Sequence, residues 1–146
     1  MVTDRQFEIA MLALFAYRAA KTNDRTELLA ILSTVRNRVY RTQKTYSEVI
    51  ENFYTELDYF GGPGLRHYPN ILDEVLTDPE SGLLKMAEDV YDNESVDVTA
   101  YGRENGALYF SRVVDVKPSD PFQTEILDRQ DVHSLVGTFG GQQFYR

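Results

Sequence analysis

Leu28, Ile31, Leu32, Val35 and Val39 recur at i, i+3, i+4, i+7 and i+11, one apolar stripe of an α-helix. Ala30 and Ser33 beside it are small enough to let a second helix approach closely. The stripe ends in Arg36-Asn37-Arg38. Taken alone, that triplet reads as a solvated helix C-terminus, where cations suit the dipole. The other reading turns Asn37 and Arg38 inward to hold a cleft together by hydrogen bonds. Upstream, Phe7, Met11, Leu12, Leu14 and Phe15 predict a helix running to about Ala20, opened by a Thr3–Gln6 capping box. It is apolar on most of its circumference and is expected at the core centre. Thr22-Asn23-Asp24 stops one helix and restarts the next, with Asp24 as N-cap. A turn this short predicts antiparallel packing of the two helices.

Thr45 and Glu48 repeat the capping-box pattern before Val49 and Ile50, predicting a short helix. Phe53 to Phe60 is aromatic and acidic, and Gly61-Gly62-Pro63-Gly64 after it predicts a loop. Ile71 to Leu76 reads as a short helical segment, and Leu83, Leu84, Ala87, Val90 and Tyr91 as an amphipathic helix. The pattern then changes. Val96 and Val98 alternate with polar residues, and Ala107-Leu108-Tyr109-Phe110 predicts a buried strand. Phe122 to Leu127 predicts a helical turn. Ser134–Phe139 and Gln142–Tyr145 flank Gly140-Gly141, a two-residue hairpin turn. The expected fold is α+β, mostly helical, with a small β region near the C-terminus, as one domain over residues 1–146.

Composition narrows the chemistry. The 146 residues suffice for one real core. A net charge of -8 argues against a phosphate-binding surface, so no nucleic acid is expected as partner. There is no cysteine, which removes thiol catalysis and cysteine-held metals. With only His67 and His133, a multi-histidine metal site is not expected. The apolar run Ile9–Ala16 is too short for a membrane span, follows an acidic start and does not read as a secretory signal. Neither a membrane nor a cofactor is expected as partner, and the expected location is the cytoplasm or a phage particle.

His133 and Ser134 are adjacent and would point to opposite faces of a strand, which disfavours a serine–histidine–acid triad. Carboxylates are abundant. Glu56 and Asp58 stand out because Tyr54, Tyr59 and Phe60 flank them. Apolar walls favour the protonated form of a carboxyl, as a general acid requires. The aromatic side chains of that stretch either cover sugar faces or pin a long loop to the core.

Three stretches in order resemble the cell wall hydrolases of the spore-cortex-lytic type. They are Ala30–Tyr40, which carries Asn37-Arg38-Val39; Gly106-Ala107-Leu108-Tyr109-Phe110; and Phe139-Gly140-Gly141-Gln142-Gln143-Phe144-Tyr145. Asn52-Phe53 falls where that family has a Gln-Phe pair, and the match spans about Ile9 to Arg146. The resemblance implies a small lysozyme-like domain that cleaves peptidoglycan glycan strands with one glutamate and no metal, as a glycosidase or lytic transglycosylase. It implies a cleft drawn from Tyr17, Arg18, Asn37, Arg38, Phe53, Tyr54, Tyr109, Gln142 and Tyr145.

The departures from the family pattern fall at its chemistry. Matching the apolar lead-in puts Tyr17 at the family's catalytic glutamate, and counting back without a gap gives Ala19. The closing histidine is Gln142. A tyrosine hydroxyl is a poor proton donor to a glycosidic oxygen at neutral pH. Two alternatives follow. Either another acid (Glu56, Asp58 or Glu8) has taken over, or the fold is kept for binding after losing its chemistry. Glu8 lies roughly 13 Å from Tyr17 along the helix, which makes it a poor substitute. The expected partner is peptidoglycan glycan or, for an assembly domain or inhibitor that reuses the fold, another protein.

Overall fold

The computed structural model describes residues 4–20, 22, 24–55, 82–92 and 106–146. Its central element is helix α2, Arg25–Thr42. Every residue from Ala30 to Asn37 is buried, so α2 is enclosed around its circumference and not only along the predicted stripe. Asp24 caps it as expected: its backbone is extended and its carboxylate accepts the Thr26 N–H at 2.9 Å. At the other end Gln43 takes a left-handed conformation (φ 58°) and returns its N–H to the Val39 carbonyl at 2.9 Å.

Helix α1, Asp4–Ala19, packs along α2 and buries Ile9, Leu12, Phe15, Ala16 and Ala19. The expected central placement holds for the middle and end of α1. Phe7 is the correction: at 51% exposure it lies on the solvent side of the first turns. The Thr3–Gln6 cap falls partly outside the described residues.

Helix α3, Tyr46–Thr55, opens with the predicted capping box. The Thr45 hydroxyl donates to Glu48 Oε1 at 3.2 Å and accepts the Glu48 N–H at 3.2 Å. A second acid also serves this helix end. Glu8 of α1 accepts the Tyr46 N–H at 3.1 Å, placing a negative charge where the helix exposes unpaired N–H groups. The other Glu8 oxygen accepts the Tyr91 hydroxyl at 3.4 Å. Tyr91 belongs to helix α4, Leu83–Asp92, and its ring lies 4.7 Å from that of Tyr46. Glu8 therefore docks α3 and α4 onto α1, which accounts for an acid on this helix without catalysis. The segment Ile71–Leu76 and the Val96–Val98 alternation lie outside the described residues.

The C-terminal third forms a three-stranded antiparallel sheet of order β1-β3-β2, with β1 Tyr109–Ser111, β2 Leu135–Phe139 and β3 Gln142–Tyr145. The fold is thus α+β and mostly helical. Pairing of β1 begins at Tyr109, so Ala107 and Leu108 lead into the strand and do not belong to it. Gly140 and Gly141 both have positive φ (60° and 83°), the conformation a tight hairpin turn requires. β3 is buried on both faces. Phe144 stacks on Phe110 at 5.3 Å, Phe110 meets Phe15 of α1 edge-on at 6.2 Å, and Phe139 meets Phe144 at 5.4 Å. On the other face, Tyr145 packs on Phe122 of the short helix α5, Pro121–Glu125, at 5.9 Å. That helix realises the turn expected over Phe122–Leu127. The described elements share one apolar core.

The Tyr46 hydroxyl is buried and finds no hydrogen-bond partner among the described residues. Burial, and next Tyr40, push its phenol well above the ordinary 10.0. The unfolded chain therefore releases this proton first, and the folded state loses stability as pH rises past that ordinary value. Tyr46→Phe is expected to stay within about 1 kcal/mol of wild type at neutral pH. It should flatten the alkaline loss without abolishing it, because Tyr91 and Tyr145 are also raised by burial. Denaturant unfolding at neutral pH and about one unit above the ordinary tyrosine value checks this. An unchanged alkaline slope would contradict it.

Candidate functional site

The end of α1, the start of α2 and the tip of the β2–β3 hairpin meet at Glu27. Its carboxylate is 0% exposed. Oε1 accepts the Thr22 backbone N–H at 2.9 Å and the Thr22 hydroxyl at 3.1 Å. Oε2 accepts the Gln142 side-chain amide at 3.3 Å, and the same Nε2 donates to the Ala19 carbonyl at 3.1 Å. Gly140 rests directly on this carboxylate: a Cβ there would lie 2.4 Å from Glu27 Cδ and Oε2. A buried carboxylate is tolerated where donors surround it, and here Thr22 and Gln142 supply them. Glu27 also sits in the first turn of α2, where negative charge is favoured.

A second contact region lies ten residues further along α2, about 15 Å in helix rise. Asn37 is buried, and its Nδ2 donates to the Ala107 carbonyl at 3.0 Å, tying α2 to the lead-in of β1. Of the two readings of the Arg-Asn-Arg triplet, the inward one holds for Asn37. Arg38 is half-buried with its guanidinium 5.3 Å above the Tyr109 ring. His133 meets the same ring edge-on at 5.3 Å, and its Nδ1 lies 3.0 Å from the Arg146 carbonyl. A carbonyl only accepts, so Nδ1 carries the proton of that contact. This corner combines a guanidinium, an imidazole and an aromatic ring, groups that bind sugars and carboxylates.

The sequence-derived candidates therefore divide between two places. Tyr17 is 46% exposed and Arg18 half-buried on the last turn of α1, in the Glu27 region with Gln142. Asn37, Arg38 and Tyr109 form the other end. Along α2, the helix rise separates Asn37 and Arg38 from the Glu27 end. Tyr145 is buried in β3 against Phe122, and burial pushes its phenol up. Phe53 and Tyr54 are in the last turn of α3, and their side chains lie outside the described residues. Glu56 and Asp58 also lie outside them.

Two residues escaped sequence reasoning. Glu27 stands four before Ile31, and Arg36 four after Leu32, so both share the buried side of the helix. Periodicity marks them, but their charge assigns them to solvent. Arg36 is 1% exposed and ranks among the largest fully buried side chains. Among the described residues, no group of three or more acids and histidines is placed to hold a metal ion, and no helix is long and apolar enough to cross a membrane. Comparison with known proteins returns no match to a family model, a curated protein or a solved structure.

The two turn glycines give a paired test of the Glu27 contact. Both have positive φ, which costs an L-residue about 1–2 kcal/mol. Only Gly140 also abuts the carboxylate, while a Cβ on Gly141 meets nothing within 4 Å. Gly140→Ala is expected to destabilise by at least about 2 kcal/mol more than Gly141→Ala in urea unfolding. Equal losses would mean that the hairpin tip is not seated on Glu27.

Proposed function

We propose that this chain is a peptidoglycan-directed domain of the cell-wall-hydrolase type, one that binds glycan strands and has lost efficient cleavage. The observation that carries this reading is the meeting of the three motif stretches. The first contacts the second through the bond from Asn37 to Ala107. The second pairs with the third, Tyr109 against Tyr145 and Phe110 against Phe144. Stretches that resemble one family in sequence thus support one another in space, as parts of a single retained framework do.

Two further features support the binding half. The Arg38–Tyr109–His133 corner presents an aromatic ring between a guanidinium and an imidazole, which suits a sugar carrying a carboxylate. Tyr17, 46% exposed on the last turn of α1, offers a second aromatic surface. The loss of cleavage is supported at the same turn. The two positions matched to the family's glutamate hold Tyr17 and Ala19, and the Glu27 carboxylate nearby is fully buried.

Incubation of the purified chain with peptidoglycan sacculi tests both halves. The expected outcome is co-sedimentation with sacculi and no release of soluble muropeptides. Absence of binding and release together would contradict the glycan reading and favour a protein-binding or assembly role. Release that disappears in a Glu56→Gln variant would overturn the loss of cleavage and assign the acid to that residue.

A further inference from the structure

We infer that Glu27 and Gln142 form a positioning pair that clamps the hairpin tip to the end of α1, and that Glu27 is not a displaced general acid. The functional half of this inference rests on the glycan-directed reading. The structural half stands on the contacts alone.

The pair occupies a telling place. Ala19 is the residue reached by counting back to the family's glutamate, and Gln142 stands at the family's closing histidine. Here the Gln142 amide spans the two, donating to the Ala19 carbonyl and to Glu27 Oε2 from one nitrogen. An amide side chain does not exchange protons with a leaving group near neutral pH, so Gln142 supplies a fixed hydrogen bond and not a proton. A general acid must reach the ligand with a proton on an accessible oxygen. Glu27 is 0% exposed, takes two donors on Oε1 and one on Oε2, and lies under Gly140. Its geometry is that of an acceptor hub.

The same contacts define what the hub does. Thr22 fixes it to the turn between α1 and α2, Gln142 fixes it to β3, and the Ala19 bond closes the triangle. The spacing between the last turn of α1, which carries Tyr17 and Arg18, and the hairpin is thereby set. Removing either partner takes a hydrogen bond from a buried polar group of the other, so their losses are expected to couple.

A double-mutant cycle on the full chain tests this, using Glu27→Ala, Gln142→Ala and the double variant, with isosteric Glu27→Gln as the variant that keeps volume. Amide hydrogen exchange of Phe144 and Tyr145 reports hairpin docking. Each single alanine variant is expected to lower protection about tenfold or more, with the double variant no worse than the worse single. Additive losses, or unchanged protection, would overturn the pair. Folded Gln142→Ala protein is expected to bind sacculi more weakly, and binding equal to wild type would overturn the positioning role. Muropeptide release by wild type that Glu27→Gln abolishes, with hairpin protection intact, would make Glu27 the acid and refute the inference. If wild type binds no sacculi, the glycan reading fails while the exchange cycle still decides the pair.

Discussion

The enclosure of α2 is the constraint on which the rest of the structure depends. A helix buried on every side from Ala30 to Asn37 cannot leave its polar side chains to water. Each must find an internal partner. Thr34 does so locally, donating to the Ala30 carbonyl at 2.8 Å. Asn37 reaches a carbonyl 70 residues away, and Glu27 an amide 115 residues away. Those two long-range bonds tie the helical part to the β region, as do the Gln142–Ala19 bond, the Arg38–Tyr109 contact and the Phe15–Phe110–Phe144 contacts. The helix is therefore both the core and the reference against which the last third of the chain is placed.

Much of this fold was readable from local pattern because its signals are local. Asp24, the Thr45–Glu48 box and the Gly140-Gly141 turn act within a few residues of themselves, and each does what its chemistry predicts. The apolar stripe identified α2 but understated its burial, since a stripe reports one face while α2 is covered by α1, α3, α4 and the sheet. Glu27 and Arg36 were missed for the same reason. Both keep the helical period of the core, and only long-range contacts make a charged residue acceptable there. Phe7 failed in the opposite sense: its type suggests burial, but α1 turns it toward solvent. The candidate site was harder to read. Spacing along α2 gave no indication that Gln142 bonds to one end of the helix and Ala107 to the other.

That division shapes the functional account. An extended ligand such as a glycan strand needs several contacts in line, and about 15 Å of helix rise along α2 separates the Glu27 end from the end that carries the Arg38–Tyr109 contact. Tyr17 and Arg18 belong to one end, Arg38 and Tyr109 to the other. At the first of these ends the hairpin is held by the hydrogen bonds of Gln142 to Glu27 and to the Ala19 carbonyl.

An NMR titration of the chain with a soluble peptidoglycan fragment tests the central claim most directly, because it reads binding residue by residue without requiring cleavage. The account predicts saturable shifts at Tyr17, Arg18, Arg38 and Tyr109, with the fragment recovered intact. Absence of shifts at both ends of α2, or shifts accompanied by fragment cleavage, would contradict it.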